Sequence, residues 1–326
     1  MPRSSNDAAL NRVVLASPRG FCAGVDRAIE IVRMAIETYG PPVYVFHEIV
    51  HNPYVVRELR DRGAIFVQGL DEVPAGARTV YSAHGVSPEV RQQAGSRRLQ
   101  VVDATCPLVT KVHLEAVRFA KDGYWILLIG HKGHDEVTGT MGEVPDRILL
   151  VSDVAEAEAV QAPDPQRVAV LTQTTLSVDD TQAIIDVLKR RFPALVFPTK
   201  DDICYATQNR QIAVKALASE VDLVLVLGAS NSSNSARLRE VAQHAGVQAH
   251  LINDHTEIQP EWLEGVATAG ISSGASTPDF LVQETVARLR EMGAAAVDQI
   301  TTAEEKVHFP LPKELLDDHE RRTPRA

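Results

Sequence analysis

Aromatic side chains and positive charge are both scarce in this sequence. Phe, Trp and Tyr together make up 5% of the 326 residues, and 43 Asp and Glu outnumber 33 Lys and Arg. So few aromatic rings argue against a stacking platform for single-stranded nucleic acid. The formal net charge of −10 argues against a broad surface for nucleic acid or anionic membranes, because such surfaces are basic. A local site for a small anion remains open.

Long apolar runs are also missing. No stretch of about 18 apolar residues occurs, so we expect no segment that spans a membrane. The lead-in MPRSSNDAALNR lacks the apolar core of a secretory signal and is expected to be frayed. We therefore expect a cytoplasmic protein. Its length suggests two or three domains.

Cysteine is the third scarcity, since only Cys22, Cys106 and Cys204 occur and no two of them form a C-x-x-C pair. An odd and widely spaced set argues against a disulfide framework and for a reducing compartment. The spacing also differs from that of structural zinc sites, which usually draw on close pairs.

Short apolar runs alternate with amphipathic stretches along nearly the whole chain. VVLAS precedes GVDRAIEIVRMAIETYG, whose apolar residues recur at helical spacing, and Gly40 followed by two prolines ends that helix. The predicted strands include VYVFHEIV, YWILLIG, RVAVLTQTT and DLVLVLG, whereas IGHKGHDEVTGT is a predicted loop. Ser177 is predicted to cap the helix SVDDTQAIIDVLKRRF. Strands alternating with helices predict an α/β fold with mostly parallel sheets.

Each cysteine stands at a predicted strand-to-helix turn. This repetition predicts three similar α/β domains over 1–106, 107–203 and 204–300, followed by a C-terminal tail over 301–326. Ligands bind at the carboxyl ends of strands in open α/β sheets, and helix N-termini favour thiolates. Three such turns around one centre would suit zinc with a fourth ligand, or an iron–sulfur cluster with one open iron. Cysteines that only fill the core are the remaining interpretation.

The other predicted strand ends are rich in hydroxyl, amide and imidazole groups. Such groups, together with the N–H groups of helix N-termini, bind phosphate oxygens. One Ser or Asn cluster is an ordinary helix cap, whereas several clusters with histidines in similar loops favour an anion site. The candidate residues are His51, His84, His131, His134, Glu136, Thr174, Thr175, Ser232, Ser233, Asn234 and Ser276.

The stretch HEIVH, from His47 to His51, matches the H-E-x-x-H pattern of zinc proteases. That chemistry needs both histidines on one helix face. The stretch follows the strand-like VYVF, contains two β-branched residues and meets Pro53 soon after. A helix is therefore not expected here, and neither is a zinc protease.

Nine stretches together resemble the 4-hydroxy-3-methylbut-2-enyl diphosphate reductase family. They run from about residue 13 to residue 290, which is nearly the whole chain, and as a set they are highly specific. The stretches are PRGFCAGVDRAI, HEIVHNPYVV, SAHGVS, DATCPLVTKVH, GHKGHDEVTGTMG, TQTTLSVDDT, DDICYATQNRQ, NSSNSARL and SGASTPD.

The resemblance implies three α/β domains around a central 4Fe-4S cluster. The cysteines at 22, 106 and 204 would ligate three irons, and the fourth iron would bind the hydroxyl oxygen of the substrate. Glu136 matches the proton donor of the family, and Thr174 matches the hydroxyl that relays or orients this proton. The residues that match its substrate-binding positions, mostly for diphosphate, are His51, His84, His134, Thr174, Ser232, Ser233, Asn234 and Ser276.

The implied reaction is the reductive removal of the hydroxyl group of (E)-4-hydroxy-3-methylbut-2-enyl diphosphate. Its products are isopentenyl and dimethylallyl diphosphate, in the last step of the non-mevalonate isoprenoid pathway. Neither a G-x-G-x-x-G fingerprint nor a P-loop occurs, so a ferredoxin or flavodoxin is the expected electron donor. We expect a monomer or homodimer. The alternatives are a zinc-binding hydrolase and a non-enzymatic phosphate-ligand binding protein.

Two residues depart from the usual pattern of the family. Ser17 stands where Asn is common before PRG, and Asp135 stands where Pro is common between His134 and Glu136. Neither is an implied cluster ligand. Asp135, however, could loosen the loop that positions Glu136.

Overall fold

A computed structural model of the chain describes residues 9–322. Its sheets are parallel throughout, and helices follow most strands, so the predicted α/β class is confirmed. The packing divides the chain into two compact units. Unit 1 consists of the described residues up to Cys22, His51–Pro53 and Tyr205–Val307. Unit 2 consists of Ala23–Val50, Tyr54–Cys204 and the described residues from His308.

The strands are short, as parallel strands in α/β folds usually are. In chain order they are β1 (Arg12–Ser17), β2 (Val43–Phe46), β3 (Ala64–Val67), β4 (Arg78–Tyr81), β5 (Gln100–Asp103), β6 (Trp125–Ile129), β7 (Ile148–Val151), β8 (Val168–Thr172), β9 (Leu223–Leu227), β10 (Gln248–Ile252), β11 (Thr268–Ser273) and β12 (Ala296–Thr301).

The helices vary in length from one and a half turns to nearly five. They are α1 (Ala23–Tyr39), α2 (Pro53–Asp61), α3 (Pro88–Ser96), α4 (Pro107–Lys121), α5 (Asp135–Glu143), α6 (Val154–Ala159), α7 (Val178–Arg191), α8 (Tyr205–Ala218), α9 (Ser233–His244), α10 (Asp279–Glu291) and α11 (Lys313–Arg322). Three short 3₁₀ segments lie at Leu70–Glu72, His255–Glu257 and Pro260–Leu263.

Unit 1 is built on a five-stranded sheet in the order β10-β9-β11-β1-β12. The apolar strand β9, LVLVL, is buried along its whole length, as expected for a parallel strand covered on both faces. Its core includes Val14 from β1, Leu217 from α8, Val224 from β9 and Leu238 from α9. Strand β1 therefore pairs with strands from the last third of the chain.

Unit 2 contains two sheets, in the orders β3-β2-β4-β5 and β7-β6-β8. Val112 and Phe119 of α4 pack against Ile126 and Leu128 of β6, on one face of the three-stranded sheet. The other face is covered by α7, through residues that include Leu188. The domain boundaries predicted at 106, 203 and 300 stay a prediction.

Two local predictions were wrong. The strand predicted over VYVFHEIV ends at Phe46, because the next residue, His47, has φ of +59° and leaves the extended conformation. The loop predicted over IGHKGHDEVTGT contains the start of α5, whose N-cap is His134. The cap predicted at Ser177 is confirmed, since its hydroxyl accepts a hydrogen bond from the N–H of Asp180.

Several elements have no counterpart in the sequence prediction, among them β3, α3, β7, α6 and β12. The start of α3 carried a usable signal, because Ser87 caps it and Pro88 follows at the first helical position. Within the described residues, no helix combines the length and the apolar character needed to cross a membrane.

Candidate active site

A buried acid forms the best-defined group of the site. Glu136 is 2% exposed, and both of its oxygens accept hydrogen bonds from Thr174. The backbone N–H of Thr174 donates to Oε1 at 2.6 Å, and its hydroxyl donates to Oε2 at 2.9 Å. Burial nevertheless raises the pKa of Glu136 to about 7, although both hydrogen bonds oppose this shift. Glu136 can therefore hold a proton near neutral pH and release it there.

The loop before α8 is hydrogen-bonded to Thr172, the last residue of β8, and to Thr174, two residues further on. The backbone N–H of Cys204 donates to the carbonyl oxygen of Thr174 at 3.0 Å. The buried carboxylate of Asp202 accepts a hydrogen bond from the N–H of Thr172 at 3.0 Å and pairs with Lys111 at 2.9 Å. Cys204 is thus held at a fixed position beside the acid and its hydroxyl partner.

Cys106 is held in a similar way on α4. It is the N-cap residue of this helix, and its N–H donates to the carbonyl oxygen of Ala83 at 3.0 Å. Arg27 donates to the carbonyl oxygen of the preceding residue, Thr105, at 3.0 Å. Because Ala83 adjoins His84, the cysteine and this histidine belong to one connected loop region.

Two of the candidate histidines lie together in unit 2. The rings of His84 and His134 are perpendicular, with centroids 5.7 Å apart. Nδ1 of His134 accepts a hydrogen bond from the N–H of Glu136 at 3.2 Å, so a neutral ring carries its proton on Nε2. Nε2–H can then donate to an anion. Nδ1 of His84 lies 3.3 Å from the hydroxyl oxygen of Ser82.

The turn that carries Cys22 in unit 1 rests on a buried arginine. The guanidinium of Arg210 is fully buried and donates to the carbonyl oxygens of Gly20, at 2.7 and 3.1 Å, and of Phe21, at 3.2 Å. Glu305 balances its charge at 3.0 Å. Gly20 has φ of +69°, a conformation that favours glycine, so the tight turn before the cysteine depends on this residue type.

Five candidate residues of unit 1 form what we call the unit 1 polar group: His51, Ser232, Ser233, Asn234 and Ser276. Ser232 caps α9, and Ser233 is the first residue of that helix. The amide oxygen of Asn234 accepts from the N–H of Ala275 at 2.9 Å, and the hydroxyl of Ser276 donates to the carbonyl oxygen of His51 at 3.0 Å. Hydroxyl, amide and helix N-terminal groups thus converge, which suits an anion.

The three cysteines are each partly exposed and directly precede a helix, namely α1, α4 and α8. The helix predicted after each cysteine is confirmed, whereas the strand predicted before Cys204 is replaced by an isolated β-bridge at Val196 that follows α7. The partial positive charge of a helix N-terminus favours a thiolate, and partial exposure leaves each sulfur accessible. Three thiolates are a donor set that fits an iron–sulfur cluster, which Cys residues hold in most proteins.

Residues 47–51 contain no helix, so the expectation that HEIVH is not helical is confirmed. Sequence reasoning did not find the supporting residues Asp202 and Arg210, whose partners are remote in the chain. It also assigned no role to His47. Asp135 was noticed only as an unusual residue, yet it lies 2.9 Å from His47.

Comparisons with known proteins support a single family. The family model described as LytB protein matches residues 13–290. A 4-hydroxy-3-methylbut-2-enyl diphosphate reductase of Mycolicibacterium paratuberculosis is 56% identical over 320 residues, covering 97% of this chain and 96% of that protein. A reductase of the same name from Bordetella pertussis is 58% identical over 308 residues, covering 94% and 95%.

Solved structures agree with these relatives. The E-1-hydroxy-2-methyl-but-2-enyl-4-diphosphate reductase of Plasmodium falciparum matches with a TM-score of 0.93 and 39% identity, covering 96% of this chain and 99% of that one. A structure described as (E)-4-hydroxy-3-methyl-but-2-enyl diphosphate reductase, the terminal enzyme of the non-mevalonate pathway, matches at 0.60 with 32% identity, covering 86% and 100%. The chain therefore belongs to the LytB family of 4-hydroxy-3-methylbut-2-enyl diphosphate reductases.

Proposed function

We propose that this chain removes the allylic hydroxyl group of (E)-4-hydroxy-3-methylbut-2-enyl diphosphate reductively, giving isopentenyl and dimethylallyl diphosphate. The observation that carries the proposal is the buried Glu136, which is held by Thr174 and has a pKa raised to about 7. The reaction consumes two electrons and two protons and releases water. A carboxyl group that is protonated near neutral pH can supply a proton to the departing oxygen.

The family is one of iron–sulfur enzymes. We propose that Cys22, Cys106 and Cys204 hold a 4Fe-4S cluster through three of its irons. When bound, such a cluster supplies electrons and a Lewis-acidic iron that weakens the bond to the leaving hydroxyl. The chemistry of the three thiols and their partial exposure support this assignment.

Hydroxide is a poor leaving group, whereas water is a good one. Glu136 is proposed to protonate the substrate hydroxyl so that it departs as water. Thr174 keeps the carboxyl group in one orientation, because its N–H and hydroxyl bind different oxygens of that group. Burial keeps bulk water from competing for the proton.

The diphosphate is proposed to bind through hydrogen-bond donors rather than through lysines or arginines. The unit 1 polar group offers hydroxyl, amide and imidazole groups at the start of α9. The positive end of the helix dipole favours an anion there. In unit 2, His84 and His134 are proposed as further donors, and Nε2–H of His134 is directed by its cap interaction.

A protein of the ferredoxin or flavodoxin kind is the proposed electron donor, since the sequence has no dinucleotide-binding fingerprint. A cytoplasmic location, and a monomeric or homodimeric state, stay predictions. The alternatives considered for the sequence, a zinc hydrolase and a phosphate-binding module, gain no support from the relatives, which carry the reductase name.

The test begins with protein purified without oxygen. We expect about four irons with matching sulfide per chain, as a 4Fe-4S cluster requires. Zinc without sulfide would favour a hydrolase, and a folded, metal-free protein would leave only the binding module. Glu136→Gln should keep iron, sulfide and visible spectrum while losing about 100-fold or more in turnover, the usual size of an acid–base contribution. Glu284→Gln, in unit 1, is the control, and near-normal turnover of the Glu136 variant would refute the acid.

A further inference from the structure

Two residues that the proposed reaction does not use, His47 and Asp135, contact each other beside His84. Nδ1 of His47 lies 2.9 Å from Oδ1 of Asp135. The other carboxylate oxygen, Oδ2, lies 3.9 Å from Nδ1 of His84. The three side chains are 28%, 23% and 14% exposed in that order, so the group is partly shielded from water. One carboxylate therefore lies within ion-pair distance of two imidazoles.

The backbone holds His47 in this place in a strained conformation. Its φ of +59° is in the left-handed region, where residues other than glycine are uncommon. Its N–H donates to the carbonyl oxygen of Val67 at 2.9 Å, and its ring stacks on Phe46 with centroids 4.1 Å apart. Such strained residues concentrate at functional sites, and here the strain directs the imidazole at Asp135.

The position of Asp135 is also fixed, in this case by helix α5. It is the first residue of α5, directly after the cap residue His134 and directly before Glu136. A carboxylate in the first turn is stabilised by the positive end of the helix dipole. It adjoins one proposed diphosphate-binding histidine, His134, in the chain and lies 3.9 Å from the other, His84, so it can influence binding through them.

We propose that Asp135, anchored by His47, is a positioning residue that orients His84 toward the diphosphate. This inference rests on the proposed function. A carboxylate on the Nδ1 side of the His84 ring leaves Nε2 as the nitrogen that faces a ligand. When the ring is protonated, Nε2 carries a proton and can donate to a phosphate oxygen.

His47 explains why a carboxylate can stand beside an anion site. The hydrogen bond to Asp135 raises the pKa of His47 above its ordinary value. A protonated His47 balances the charge of Asp135, so that the carboxylate repels the diphosphate less. The pair thereby orders His84 with little net negative charge added to the site.

The experiment measures the Kd of inorganic pyrophosphate on oxygen-free holoenzyme by calorimetry, together with KM and kcat for the substrate. Asp135→Asn should raise Kd and KM about three- to tenfold, the range expected between an exposed ion pair and a charge-assisted hydrogen bond. The value of kcat should change less than twofold, because the contact between Glu136 and Thr174 remains. Asp135→Pro should change Kd, KM and kcat as Asp135→Asn does, since Pro suits the first helical position.

Coupling between the pair is tested with His47→Asn, because Asn tolerates the left-handed region. This variant should weaken pyrophosphate binding alone but add little in the Asp135→Asn background. Asp135→Glu, which keeps the charge, should recover part of the loss. Glu284→Gln removes a different carboxylate, 3.7 Å from His255 in unit 1, and should leave Kd unchanged.

Three results would overturn the inference, and the second of them would also remove part of the proposed function. If His84→Ala weakens pyrophosphate binding while Asp135→Asn and His47→Asn stay within twofold of the parent, the positioning role is wrong and the proposed function stands. If His84→Ala itself leaves Kd and KM unchanged, the diphosphate-binding role proposed for His84 fails and the inference fails with it. Equal losses of kcat and binding in Asp135→Asn would indicate a general structural defect and also overturn it.

Discussion

A carboxyl group removed from water keeps its proton to a higher pH than an exposed one, and Glu136 shows which effect wins when two oppose each other. The hydrogen bonds from Thr174 stabilise the carboxylate and lower the pKa. Burial, with a smaller contribution from the charge of Asp202, raises it further than those bonds lower it. The balance near pH 7 leaves Glu136 able both to hold and to give up a proton.

Turnover is expected to depend on pH through this group. A proton donor must be protonated, and the protonated fraction of Glu136 falls as pH rises through about 7. We therefore expect kcat to decline above pH 7, by about tenfold per pH unit at the alkaline limit. The measurement is a pH profile of kcat on fully loaded enzyme between pH 6 and 9.

Variants of Thr174 test whether Glu136 is the group that causes this decline in kcat. Thr174→Val removes a hydroxyl that lowers the pKa, so the alkaline limb should move to higher pH. Thr174→Ser keeps the hydroxyl and should leave the limb in place. If the alkaline limb stays at the same pH in Thr174→Val, the group that titrates is not Glu136.

At the scale of secondary structure elements, α5 carries the acid and lies directly against the loop that contains His84. A Cβ added to Gly139 would meet the ring of His113 at 3.3 Å and the backbone of Gly85 at 3.4 Å. One added to Gly142 would lie 2.4 Å from Cβ of Ser87. Glycines three residues apart on one helix face therefore permit this close approach.

Gly142→Ala should separate α5 from the loop, since real Cβ atoms do not approach to this distance. We expect a loss of about 1–3 kcal/mol in the free energy of unfolding, as in other overpacked sites, and a lower melting temperature. Gly95→Ala in α3 is the matched control, because nothing lies within 4 Å of its added Cβ. That variant should be stabilised by up to about 1 kcal/mol.

Ser87→Gly in the Gly142→Ala background relieves the contact directly. It costs only a few tenths of a kcal/mol as a cap replacement, so it should restore most of the melting temperature. Equal melting temperatures for Gly142→Ala and Gly95→Ala would contradict the close packing of α5.

The C-terminal helix α11 packs on α1 within unit 2. The hydroxyl of Tyr39 donates to Asp318 at 2.7 Å, and Thr38 lies in hydrogen-bond contact with His319 at 2.8 Å. Leu315 is 1% exposed. No motif in the sequence signals this contact, and the partners are about 280 residues apart in the chain.

Leu315→Ala should release this helix. Removal of a fully buried leucine side chain typically costs about 2–5 kcal/mol. Leu316, the next residue, is 37% exposed, and Leu316→Ala should change stability by less than about 0.5 kcal/mol. Limited proteolysis and thermal melting of both variants check the difference, and equal sensitivity would show that α11 contributes little to stability.

At the scale of the whole molecule, the chain has only three cysteines, and the proposed cluster uses all of them. Each of Cys22→Ser, Cys106→Ser and Cys204→Ser should lose iron, sulfide and turnover together, because a serine hydroxyl is a far weaker ligand for iron than a thiolate. The measurement is iron and sulfide content with the visible spectrum, under anaerobic conditions. A serine variant with full iron and activity would remove that cysteine from the ligand set.

The sequence by itself determined the α/β class, the helix starts after each cysteine and the polar residues of the candidate site. These features are local: strand and helix periodicity, capping at Ser177 and glycine turns act over a few residues. The family followed from nine short stretches for the same reason. The weakest elements were not predicted at all, since short segments such as β3 and α6 have little periodicity.

Only the tertiary structure decided which side chains meet. Burial raises the pKa of Glu136 against the opposing hydrogen bonds of Thr174, which lies 38 residues away, and Asp135 meets His47 across 88 residues. Arg210 supports the Cys22 turn from 190 residues away. Such contacts depend on how strands are ordered in the sheets, and desolvation depends on everything packed around a group. Neither is encoded in a local pattern of residues.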